Sequence, residues 1–163
     1  MTIVYLYTAL CTVGGADRSI IQKANYLADE MHQDVFIITD SQKERPPVFP
    51  ISPRIRHIDI GIDFDRQYHH NLLVRGYYYF TLMHLYRKKL EYWLKTLKPD
   101  IVISTLGREL DFLTQLDDGS VKIGESHIAK PYTRNLHLME QRGFPYKQIA
   151  RRSEERRVGK ECR

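Results

Sequence analysis

A chain of 163 residues, 42% hydrophobic and 28% charged, has the size and balance of a single soluble globular domain, which excludes a disordered tail and a membrane bundle. No stretch approaches the roughly 18 uncharged apolar residues of a spanning helix, and the N-terminus lacks the basic-then-apolar pattern of a signal peptide, so the expected location is cytoplasmic. Two cysteines, Cys11 and Cys162, cannot build a disulfide framework.

Ile3 to Tyr7 is a β-branched and aromatic run, read as a buried strand, and it ends in the loop "TVGGADRS" from Thr12 to Ser19. Cys11, with no histidine paired to it in sequence, reads as a small core residue at the strand's end. From Asp17 the period changes: Ile20, Ile21, Ala24, Leu27, Ala28 and Met31 fall on one helical face, and Asp17 suits the positive end of that helix. Asp34 to Asp40, "DVFIITD", is a second buried strand. The prolines of Arg45 to Arg54, "RPPVFPISPR", impose a loop.

"IRHIDIGI", from Ile55, predicts a third strand, and "DFDRQYHHN" a polar connection. A helical stripe of Tyr77, Phe80, Met83, Leu90, Trp93, Leu94 and Leu97 predicts a long helix from Leu73, stopped by Pro99. A fourth strand follows at Asp100 to Thr105, a helix near Glu109 to Leu116, and a fifth strand at Val121 to Ser126. Continuous apolar strands joined by helices predict a Rossmann-like, doubly wound parallel sheet of the α/β class. In such sheets ligands bind beyond the carboxyl ends of the strands, where "TVGGADRS", "GRELDF" and "GESHIAKPY" all fall.

Arg152 to Arg163, "RSEERRVGKECR", has no apolar periodicity and matches the translation of a common short-read sequencing adapter. Residues 1–151 are therefore expected to be the biological domain and 152–163 a non-native tail. Five basic and three acidic residues go with that tail, and the net charge of +5 falls to +3, too mild to imply a nucleic-acid partner.

Glycines let a backbone turn tightly and approach a ligand, and a helix N-terminus beyond them presents N–H groups to an anion. Gly14 and Gly15 fit either a phosphate cradle or a plain strand-to-helix turn. A Walker loop is excluded because no Lys and Ser/Thr follow the last glycine. Asp40 ends the second strand where a ribose-binding acid sits in dinucleotide proteins, but "VGGADR" lacks the G-x-G-x-x-G spacing.

"GGADRSIIQKANYLADEMHQDVFIITD" resembles the opening of glycosyltransferase family 4, and "LKPDIVISTLGRELDFL" and "KIGESHIAK" resemble later segments of its bacterial members. The resemblance covers nearly all of residues 1–151 and implies a GT-B architecture of two Rossmann-like domains, of which this chain holds an incomplete N-terminal, acceptor-side half. It implies a retaining transferase that moves sugar from a nucleotide-sugar donor to a glycan or lipid-linked acceptor in bacterial surface polysaccharide synthesis. No cofactor is implied, and the half alone is expected to be inactive. Gly14 and Gly15 then approach the donor diphosphate, and His127 matches the family's cleft histidine, the expected catalytic residue.

Arg18, Arg108, Glu109 and Glu125 are the candidate acceptor or cleft contacts, with a surface ion pair as the plain alternative for Arg108 and Glu109. Asp63-Phe64-Asp65, with His69 and His70 nearby, has the look of a metal motif, but it lies in a polar loop away from any nucleotide-binding strand, and no metal is expected. Arg75, Arg87, Lys88, Lys89, Lys95 and Lys98 on the long helix fit a solvated basic face or a peripheral contact with the inner face of the membrane. A non-catalytic nucleotide- or membrane-binding module is the rival to the transferase.

Overall fold

The computed structural model describes residues 1–64 and 72–127. The chain divides into two compact units, Met1–Glu125 and Ser126–Arg163, and all the elements below belong to the first.

Five strands, β1 (Thr2–Tyr7), β2 (Asp34–Thr39), β3 (Arg56–Asp59), β4 (Ile101–Ser104) and β5 (Val121–Gly124), form one parallel sheet in the order β3-β2-β1-β4-β5. β1 is central, with Val4 level with Phe36 on one side and Val102 on the other. Both faces are covered, which is why β1 and β2 are unbroken apolar runs rather than alternating ones. Helix α1 (Gly15–Asp29) packs Ile20, Ile21, Ala24 and Ala28 against Ile3, Tyr5, Val35 and Ile37. Helix α2 (Leu72–Leu97) packs Tyr86, Leu90 and Leu94 against Val4, Leu6, Phe36, Ile38 and Val102. The chain is a Rossmann-like α/β protein, as its sequence predicts.

Three elements differ from expectation. β3 is shorter than the "IRHIDIGI" run, because Gly61 takes a left-handed conformation (φ +57°) two residues past Asp59 and breaks the regular ladder, although the Ile62 N–H still reaches the Asp40 carbonyl at 2.6 Å. The helix expected near Glu109 to Leu116 is two 3-10 helices, Arg108–Asp111 and Leu113–Gln115. Phe112 between them departs from helical geometry (φ −133°, ψ −17°) and buries its ring with Leu113 and Leu116 in the α2-side core. The stripe expected to bury α2 fails at its start: Tyr77 and Phe80 are 72% and 75% exposed. At 1.5 Å per residue α2 is about 39 Å long, whereas strands of four to six residues span roughly 13–20 Å. Its first turns therefore have no sheet to cover: Tyr79 reaches the Phe64 ring, 6.4 Å between centroids, and packing on the sheet-side core begins near Leu82 and Met83.

Candidate active site at the carboxyl ends of the strands

In an open parallel sheet the crevice opens where the strand order reverses, here between β1 and β4. The loops after these two strands carry the glycine pair and the Leu106–Glu109 turn. They run side by side, and Thr105 donates to the carbonyl of Leu6 through its Oγ1 at 3.1 Å.

The first loop is held by Asp17. Its Oδ2 accepts from the Tyr7 hydroxyl at 3.1 Å and from Thr12 Oγ1 at 2.9 Å, and the side chain is 2% exposed. Burial and this acid push the Tyr7 pKa well above the ordinary range. Asp17 therefore does more than face the helix dipole, because it clamps the loop to β1. Gly14 makes room for the clamp: a Cβ there falls 2.9 Å from Asp17 Oδ2. Gly15 is different. Its backbone is not left-handed and a Cβ meets nothing within 4 Å, so packing does not demand a glycine at this first position of α1. Gln42 joins this loop to the one after β2, accepting from the Leu10 N–H at 2.7 Å and donating to the Arg45 carbonyl at 2.6 Å.

The second loop is built around Glu109, which is 3% exposed. Its Oε1 accepts from Ser104 Oγ at 2.6 Å and from the Gly107 N–H at 3.0 Å, and its Oε2 from the Tyr86 hydroxyl at 3.4 Å. Glu109 faces inward, and its role is to fix the turn. Leu106 takes a left-handed conformation (φ 63°), a strained state for a branched side chain. A Cβ on Gly107 falls 2.4 Å from Glu109 Oε2. The turn aims Arg108 outward: its guanidinium lies over the Phe64 ring, 4.4 Å from the centroid, and makes no hydrogen bond or ion pair among the described residues. A half-buried guanidinium stacked on an aromatic face, with no hydrogen-bonded carboxylate among the described residues, has its fork of donors open to an incoming anion.

Beside it lies Asp40, 2% exposed, on the α2 face at the end of β2. Its Oδ1 has no hydrogen-bond partner among the described residues. Burial pushes its pKa up to about 6, Glu109 and Asp59 add to the rise, and Ser41 and Arg108 oppose it. Sequence reasoning considered Asp40 only as a ribose contact. The signal that it is unusual was present, since an acid closes a run of buried apolar residues, but its neighbours come from β3, α2 and the β4 loop and cannot be read from spacing.

The structure gathers Gly14, Gly15, Arg18, Arg108, Glu109 and Glu125 at one end of the sheet. Arg18 is exposed on the first turn of α1, and its side chain makes no hydrogen bond or ion pair among the described residues. Glu125 is half-buried, forms an ion pair with Lys23 of α1, and with burial pushes the Tyr5 pKa up to about 12. His127 follows β5 and belongs to the second unit. In the acidic loop Asp63 pairs with Lys43 at 2.8 Å and Phe64 is a core residue, while Asp65, His69 and His70 lie outside the described residues. The tail 152–163 also lies outside them. Among the described residues no three His, Cys, Asp or Glu side chains are grouped to hold a metal. A shallow groove of about 320 Å³ lies along α2, lined by Asp59, Ile60, Lys88, Lys89, Tyr92 and Trp93, and includes none of the sequence-predicted site residues. Comparison with protein-family models gives no match for this chain, and comparison with curated proteins gives no significant one.

Proposed function

We propose that this chain is the acceptor-side half of a retaining glycosyltransferase that uses a nucleotide-sugar donor. The observation that carries the reading is Arg108, whose donors have no partner among the described residues beside a topological switch point whose other side is the open Gly15 turn. An anionic, phosphate-bearing ligand is the chemistry such a pair serves. The resemblance of "GGADRSIIQKANYLADEMHQDVFIITD" to glycosyltransferase family 4 narrows that ligand to a sugar diphosphate.

In this reading the N–H groups of Gly14 and Gly15 and the guanidiniums of Arg18 and Arg108 take up the charge that grows on the leaving diphosphate as the glycosidic bond breaks. Such preorganised donors accelerate a reaction because they bind the departing anion better than the intact donor. His127 contacts the donor sugar. The acceptor is a glycan or a lipid-linked glycan, the product a bacterial surface polysaccharide, and the working location the cytoplasm or the inner face of the membrane. A second Rossmann-like domain holds most of the nucleotide, so this half alone transfers nothing.

Sequencing the source locus with long reads through codon 152 tests the reading. The expected result is a frame that departs from "RSEERRVGKECR" and continues into a second α/β domain bearing a Glu-x7-Glu motif. A native frame that encodes those residues and then stops contradicts it, and favours a stand-alone binding module.

A further inference from the structure

Helix α2 has two apolar faces. Tyr86, Leu90 and Leu94 point into the core. On the opposite side Val74, Tyr78, Leu85 and Tyr92 are exposed, spaced by three and four residues with Thr81 and Lys88 between them, and Tyr77 and Phe80 flank this stripe. A surface helix of a globular protein carries one apolar stripe and a polar back. Here four of the six positions on the back, over about 27 Å from Val74 to Tyr92, are apolar or aromatic.

A second copy of the chain is a poor occupant. The seam includes Thr and Lys where a helix pair needs apolar knobs, and α2 carries Arg75, Arg87, Lys88, Lys89 and Lys95 against the single acid Glu91, so two such helices repel. The same composition suits an anionic surface. Tyrosine places an apolar ring below the headgroups and its hydroxyl among them, and lysine stems extend along apolar surface while their charge stays in water. No helix among the described residues is long and apolar enough to cross a membrane, and a membrane contact of α2 is therefore one along the interface.

We infer that the outward face of α2, from Val74 to Tyr92, docks the protein on an anionic phospholipid surface. Its first turns extend past the carboxyl edge of the sheet, so docking holds that edge near the headgroups. A lipid-linked acceptor follows if the transferase reading holds; the membrane contact itself does not depend on that reading.

The test is co-sedimentation of the full chain with phosphatidylcholine vesicles, with and without about 30% phosphatidylglycerol. Binding is expected only to the anionic vesicles and falls as salt rises. Tyr77→Ser combined with Leu85→Ser weakens it at least about tenfold, whereas Tyr26→Ser, which removes an equally exposed ring from α1, leaves it unchanged. Circular dichroism checks that the variants, all at exposed positions, keep the fold. No preference for anionic vesicles, or equal binding by the double variant, overturns the inference. So does a dimer of the wild-type chain, formed without lipid and dissolved by the double variant, because a second copy then occupies the face. No donor or acceptor enters the assay, so its failure leaves the transferase reading standing.

Discussion

Asp40 is a buried acid whose cost to the fold depends on pH. Folded, it holds its proton up to about pH 6, and unfolded it releases it near the ordinary 3.8. Between those values the folded state binds more protons, so this group lowers stability as pH rises through the window and leaves a constant penalty above it. Asp40→Asn removes the penalty. It is expected to raise the melting temperature at pH 7 by about 5 °C and to leave it nearly unchanged at pH 4. Burial lowers the pKa of His57, an effect of opposite sign, but His57 is common to both proteins and cancels in the difference. A variant that melts below wild type at pH 7 contradicts this account. Residue identity was legible here and residue role was not. Glu109 was read as a cleft contact or a surface ion pair, but its carboxylate holds Ser104, Gly107 and Tyr86, the last of them on a different element.

At the scale of elements, the two glycine loops make opposite demands. Gly107→Ala drives a methyl against Glu109 Oε2, part of the carboxylate whose Oε1 fixes the Leu106–Glu109 turn, and is expected to cost about 1–3 kcal/mol in a urea or thermal melt. Gly15→Ala meets open space and is expected to leave the melt unchanged. Equal losses for the two would mean that Gly15 is a packing glycine and not a point of close approach. Strands β1 and β2 and helix α1 were legible because burial on both sheet faces, and on one helix face, writes its period directly into the sequence. The start of α2 was not, because its aromatic residues keep the helical period while facing away from the core. The 3-10 pair at Arg108–Gln115 departs from the expected helix for another reason: apolar spacing fits a short helix, and only the inward Glu109 and the break in helical geometry at Phe112 show that the segment is a tied loop.

For the whole molecule, the strand order joins sequence to function. Alternating strands and helices predict a parallel sheet, but the order β3-β2-β1-β4-β5 depends on which strands pair, and only the fold brings the loops that carry Gly14-Gly15 and Arg108 to the ends of adjacent strands. Under the proposed function, the end of the sheet at β1 and β4 takes the diphosphate of a nucleotide sugar. The most direct measurement is a calorimetric titration of the chain with uridine, guanosine and adenosine diphosphates in turn, repeated on Arg108→Gln and Gly15→Ala. Weak binding of at least one of them is expected, with Kd about 1 mM, at least about tenfold weaker in Arg108→Gln and also weakened in Gly15→Ala, with the fold of both variants intact. Absence of binding by all three, or binding that Arg108→Gln leaves untouched, contradicts it.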